Sequence, residues 1–219
     1  MLLPKIIAID GPVASGKTAV GRQLAHRVGY RFVDTGMMYR ACTYLALRQG
    51  VDIGDSEGLA SLAATTAMDI VVTSQGERLL ANGEDVTIHL RTPQVQACVS
   101  DVAKVQGVRV AMVVQQQHMA EAGEVVMVGR DIGTKVLPNA GKVYLDASVE
   151  ERVRRRLAEA FGRETEAGVR ANIDLRDRID MEREESPLRV ADDAVVVETD
   201  ALDVEGVVSA VIVALGGKA

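Results

Sequence analysis

This chain predicts an α/β fold with a parallel sheet flanked by helices, and three features predict it. Short apolar runs alternate with stretches of helical periodicity along most of the sequence. A glycine-rich loop joins the first apolar run to the first helical stretch. One stretch, from Asp69 to Ile88, breaks the alternation and reads as small antiparallel hairpins.

The apolar runs place strands at 5–10, 31–34, 125–128, 143–146 and 194–198. Helical patterns cover about 16–28, 37–48, 56–67, 92–122 with a break near Gly107, 149–161, 166–185 and 203–215. Five strands interleaved with helices make a doubly wound sheet, whose ligands bind outside the carboxyl ends of the strands. In the interrupting stretch the strand candidates are Asp69-Ile70-Val71-Val72-Thr73, Arg78-Leu79-Leu80 and Val86-Thr87-Ile88, turned at Gly76 and at Asn82-Gly83. This is an insert carried on the core.

Composition narrows the function classes. At 219 residues the chain can bury one good core and needs no staples. Cys42 and Cys98 lie far apart without metal-ligand spacing and read as small buried hydrophobes. His26, His89 and His118 are scattered, so neither a metal site nor a histidine triad is indicated. The opening apolar run, bracketed by Lys5 and Asp10, is too short for a secretion signal. The longest late run, 207–215, is too short to span a bilayer. A cytoplasmic protein with no membrane partner is expected. The net charge of −6 argues against a general nucleic-acid surface. Yet the cations are 19 arginines to 6 lysines, a bias that suits phosphate handling because the guanidinium forks onto phosphate oxygens. Surface composition explains the bias nearly as well.

Gly11-Pro12-Val13-Ala14-Ser15-Gly16-Lys17-Thr18 directly follows the first strand and opens a helix. In that context the pattern is a phosphate-binding loop. Its glycines let the backbone curl so that N–H groups point inward, Lys17 reaches the β and γ phosphates, and Thr18 offers a hydroxyl to Mg²⁺. The positive end of the helix dipole adds to the same anion site. A bound nucleoside triphosphate is the expectation.

Three more clusters sit where ligands are expected. Asp34-Thr35-Gly36-Met37-Met38-Tyr39-Arg40 ends the second strand and places Thr35 and Arg40 on the ligand face, although Asp34 or Thr35 also reads as an ordinary helix cap. Val128-Gly129-Arg130-Asp131-Ile132-Gly133-Thr134 follows the third strand, with one cation and one carboxylate between glycines. In the run from Arg176 to Arg183, Arg176, Asp180 and Arg183 share one helix face at i, i+4 and i+7. Upstream, Arg152, Arg154, Arg155 and Arg156 crowd another helix, and the polar stretch 161–168 between them suits a hinged flap. A solvated helix with ion pairs is the alternative for such charge runs.

Taken in order, the loop, Asp34-Thr35-Gly36-x-x-Tyr39-Arg40, Gly129-Arg130-Asp131-Ile132-Gly133-Thr134, Arg176-Asp177-x-x-Asp180-x-x-Arg183 and Ser186-Pro187-Leu188 resemble the bacterial cytidylate kinases over about residues 4–215. The resemblance implies a P-loop NTPase fold of the nucleoside monophosphate kinase kind, with a five-stranded parallel sheet and a small antiparallel β insert. It implies one domain, 1–219, with a core at about 1–34, 106–152 and 186–219, a monophosphate region at about 35–105 and a lid at about 153–185. It implies ATP-dependent phosphorylation of CMP, with dCMP as a further acceptor, and Mg²⁺ as cofactor. Lys17, Arg130, Arg176 and Arg183 take catalytic roles. Thr35, Tyr39, Arg40, Ser100, Arg109, Arg130, Asp131, Asp180 and Arg183 match CMP-binding positions, Ser100 and Arg109 on the side of the pyrimidine. A monomer is the family expectation. The chain departs from the family at Val13-Ala14, where smaller residues are usual, at Glu182, and in a short lid. Asp34 and Asp131 both stand as candidates for a second Mg²⁺-side carboxylate.

Overall fold

The computed structural model describes residues 3–73, 76–160 and 164–217. In chain order the elements are β1 (Ile6–Asp10), α1 (Lys17–Val28), β2 (Arg31–Asp34), α2 (Thr35–Gln49), α3 (Ser56–Thr65), β3 (Met68–Thr73), β4 (Gly76–Ala81) and β5 (Glu84–Asp85). They continue with α4 (Pro93–Ala103), α5 (Gln106–Ala120), β6 (Val125–Val128), β7 (Gly141–Asp146), α6 (Val149–Ala160), α7 (Glu166–Glu182), β8 (Val195–Glu198) and α8 (Val204–Ala214). A five-stranded parallel sheet runs in the order β2-β6-β1-β7-β8, and a three-stranded antiparallel sheet runs β3-β4-β5. The α/β architecture expected from the sequence is therefore present, insert included.

The chain forms two compact units, residues 1–30 with 124–219, and residues 31–123. These boundaries differ from the core, monophosphate and lid regions drawn from the sequence, since α5 falls in the second unit.

In the first unit β1 pairs with β6 on one side, Ile9 opposite Val128, and with β7 on the other, Ile9 opposite Val143. Central strands covered on both faces need continuous apolar runs. Accordingly Ile7, Ala8, Ile9 and all of β6 are buried. The edge strand β8 leaves Val195 and Val196 exposed. Helix α8 starts at an Asp203 cap whose carboxylate accepts the Gly206 N–H, and Glu205 takes Gln23 and Arg27 of α1. Helices α6 and α7 close over a small apolar cluster of Val153, Val169 and Ile173, against which Val13, Val149 and Leu157 pack.

The second unit builds its own core from Met38, Cys42, Leu45, Leu59, Leu79, Val102 and Met112. Three of its helices start at good capping residues: Asp34 for α2, Asp55 for α3, and Thr92 followed by Pro93 for α4. The β4–β5 turn puts both Asn82 (φ 49°) and Gly83 (φ 82°) in the left-handed region, as a two-residue hairpin turn requires.

Three expectations are corrected and one is made exact. Val86-Thr87-Ile88 is not a third strand. Asp85 accepts the Thr87 N–H, and the Thr87 hydroxyl accepts the Leu79 N–H in place of a ladder bond, so the chain turns into a 3₁₀ turn at Thr87–His89. The helical break expected near Gly107 falls at Lys104-Val105, and Gly107 itself lies inside α5, where a Cβ would stand 2.4 Å from Ala60 Cβ of α3. Cys42 is buried, with its thiol pKa pushed up to about 11 by burial, but Cys98 is only half-buried. Arg183 lies past the end of α7 in extended backbone rather than on its face. Residues 161–163 of the stretch read as a flap lie outside the described residues.

Candidate active site

The phosphate loop occupies the turn between β1 and α1. Gly11 cannot carry a side chain, because a Cβ there would lie 2.3 Å from Leu145 O. Gly16, with φ 93°, is the N-cap of α1, so Lys17 and Thr18 open the helix at the positive end of its dipole. Lys17, nearly buried, extends its Nζ to Pro12 O at 2.5 Å and Ser15 Oγ at 3.2 Å, across the mouth of the loop. Ala14 adopts φ 59°, a left-handed conformation that costs a residue with a Cβ about 1 kcal/mol or more.

Beside the loop in this unit, the segment after β6 and the end of α7 form a charged cluster. Arg130 Nε donates to Asp180 Oδ2 at 2.7 Å. Arg183 stands 3.6 Å from both Asp131 and Asp180 and donates to Ser186 O at 2.7 Å. Burial alone would raise the Asp180 pKa, but the charges of Arg130, Arg183 and Arg176 hold it below the usual carboxylate range. Arg130, Arg176 and Arg183 thus gather around Asp180, with carboxylates interleaved among the guanidinium groups.

Asp10, at the carboxyl end of β1, is the residue that sequence reasoning passed over. Its carboxylate accepts the Ile132 N–H at 2.9 Å and the Gly133 N–H at 2.7 Å, fixing the chain just after Arg130 and Asp131. Burial pushes its pKa up to about 6, against the lowering effect of those two hydrogen bonds, and Asp131 pushes the same way as burial. A carboxylate ending an otherwise apolar central strand, directly before a phosphate loop, was the available signal.

The remaining sequence-predicted residues lie in the second unit. The Asp34 carboxylate accepts the Gly36 N–H at 2.9 Å, which is the ordinary capping role. Thr35 begins α2, and Arg40 lies back over Gly36, where a Cβ would meet its Nη1 at 2.8 Å. The Arg109 guanidinium sits 5.4 Å from the Tyr39 ring centroid and donates to Ala103 O at 3.1 Å. Both Arg109 and Tyr39 are buried, while Ser100 is half-buried on α4.

Among the described residues no cluster of three or more His, Cys, Asp or Glu is placed to hold a metal, and no helix is long and apolar enough to cross a membrane.

A parallel α/β sheet with a phosphate loop at the end of its first strand and arginines paired to carboxylates beside it is the architecture of a P-loop phosphotransferase. The family profile described as cytidylate kinase matches residues 7–216. The chain is 51% identical to a cytidylate kinase of Geobacillus thermodenitrificans over 206 residues, covering 92% of each chain. It is 44% identical to one of Bacillus subtilis over 216 residues, covering 97% of this chain and 96% of the relative. The chain belongs to the cytidylate kinase family.

Proposed function

We propose that the enzyme transfers the γ-phosphoryl group of ATP to the phosphate of CMP, and of dCMP, by in-line displacement to give the diphosphate. The observation that carries this reading is Lys17 at the head of α1, held across the loop mouth in the same unit as the Arg130–Asp180 and Arg183–Asp131 pairs. The names of the curated relatives support CMP as the acceptor.

The attacking group is a phosphate oxygen already anionic at neutral pH, so the reaction needs no general base. Catalysis is positioning and charge neutralisation. The loop residues Gly11, Pro12, Val13, Ala14, Ser15, Gly16, Lys17 and Thr18 bind the triphosphate, with Lys17 on the β and γ oxygens. Arg130, Arg176 and Arg183 steady the transferred group and the acceptor phosphate. Thr35, Tyr39, Arg40, Ser100, Arg109, Asp131 and Asp180 are the further residues that the family resemblance assigns to CMP.

Mg²⁺ suits this donor set, since it keeps most of its octahedron for water and phosphate oxygens and asks few ligands of the protein. Thr18 would hold it, and the ion would neutralise charge on the β and γ phosphates. The protein is proposed to act as a cytoplasmic monomer without nucleic-acid or membrane partners. The reading is tested by steady-state turnover with ATP and a panel of CMP, dCMP, UMP, AMP and small alcohols. CMP should give the highest kcat/KM. Preference for an alcohol would overturn the reading, as would ATP hydrolysis that no acceptor stimulates.

A further inference from the structure

The phosphate loop is gripped from outside by the two helices that follow β7. The main chain of Val13 is held at both ends. Its N–H donates to Asp177 Oδ1 of α7 at 3.4 Å, and its carbonyl accepts from Arg152 Nη1 of α6 at 3.3 Å. The two holding groups are paired to each other, Arg152 Nη1 to Asp177 Oδ2 at 2.5 Å, and Arg152 Nε is anchored on Ala147 O at 3.2 Å. Both charged side chains are close to fully buried, at 6% and 12% exposure. The Val13 side chain packs on the α6–α7 apolar cluster.

The geometry assigns Arg152 and Asp177 as positioning residues for the phosphate-binding loop. In a trans peptide the C=O and the following N–H point in opposite directions. Fixing the Val13 carbonyl outward toward Arg152 therefore directs the Ala14 N–H to the opposite, phosphate-facing side of the loop. Ala14 is the residue held at φ 59°, a conformation that persists only where the surroundings enforce it. Arg155 repeats the device two peptides later, with Nη1 3.3 Å from Ser15 O, which directs the Gly16 N–H in the same way. A buried ion pair made only to join two helices would need neither main-chain bond to Val13.

The assignment rests on the proposed use of the loop for ATP, and its test separates the two. Arg152→Met with Asp177→Leu replaces the buried pair by apolar groups of similar size, a change that tends to preserve or raise stability. In a double variant that melts like the wild type, the Kd and KM for ATP should rise at least about tenfold, as expected of a displaced binding group. The KM for CMP should change less than about threefold, by the same logic of a local displacement. Arg152→Lys keeps the charge beside Asp177 but loses the fork that reaches Val13 O, and should fall between. It takes the place of the double variant if that one does not fold. ATP affinity within twofold of wild type in either folded variant would overturn the assignment and leave a purely structural pair. Wild-type enzyme that binds ATP by calorimetry but transfers nothing to CMP would contradict the proposed reaction instead, with the binding arm still deciding the role of Arg152 and Asp177.

Discussion

Arg130 Nε lies 2.7 Å from Asp180 Oδ2, joining the segment after β6 to the end of α7 across 50 residues of sequence. The pair aims and screens a guanidinium group that the proposed reaction uses on phosphate. Arginine alone is a long, mobile cation; paired, it presents its remaining N–H groups in a fixed direction. Asp180→Asn should therefore raise the KM for CMP about tenfold, the scale of one charge-assisted hydrogen bond. The KM for ATP should move little. Steady-state kinetics on both substrates checks it, and equal loss on both would mean that Asp180 serves the fold.

Lys17→Ala should lower kcat by at least about 10²-fold with the fold retained, because it removes the cation set on the transferring phosphates. The check is turnover alongside a far-ultraviolet circular dichroism spectrum. Near-full activity in a folded variant would take Lys17 out of the mechanism.

Asp10 gives a pH prediction. Its carboxyl is raised by burial from 3.8 to about 6, so the folded state favours the protonated form. The stability this contributes is complete below about pH 4 and is lost as pH rises through about 6, a swing on the order of 3 kcal/mol. Asp10→Asn cannot ionise. Its stability relative to the wild type, from urea unfolding at pH 4, 5, 6 and 7, should rise with pH over that window on top of a constant loss from the weakened Gly133 bond. A difference that stays flat would show that the carboxyl titrates at its ordinary value.

Arg109, stacked on Tyr39 and bonded to Ala103 O, is held too firmly to serve as a general surface cation. Changing it to Ala should narrow the kcat/KM gap between CMP and UMP more than it changes the KM for ATP, since a site built to pair a polar group rejects the analogue that cannot pair. If CMP and UMP weaken equally, Arg109 reads phosphate or supports the core.

The features that sequence reasoning captured are local ones. The apolar runs of β1 and β6 are continuous because both faces are covered, and the phosphate loop is a single contiguous turn whose glycines are demanded by φ and by Leu145 O. The Asn82-Gly83 hairpin was legible for the same reason. Legibility ended where a contact joins distant segments or a side chain takes over from the backbone. Asp10 meets Ile132 at a separation of 122 residues, and Asp177 meets Val13 at 164, so no spacing rule announces them. Val86-Thr87-Ile88 has the strand composition, yet the Thr87 hydroxyl claims the Leu79 N–H and ends the ladder. The break near Gly107 was legible, but the close approach of Gly107 in α5 to Ala60 was not. The arginine run divides likewise: Arg154 and Arg156 make surface pairs with Glu151 and Glu159, whereas Arg152 and Arg155 hold carbonyls of the phosphate loop.

The central claim is direct phosphoryl transfer between two nucleotides, and the fate of a labelled γ-phosphate tests it most directly. With [γ-³²P]ATP, Mg²⁺ and CMP, the label should appear on the β position of CDP, with formation of CDP matching loss of ATP. Label released as inorganic phosphate, with no CDP formed, would contradict the account.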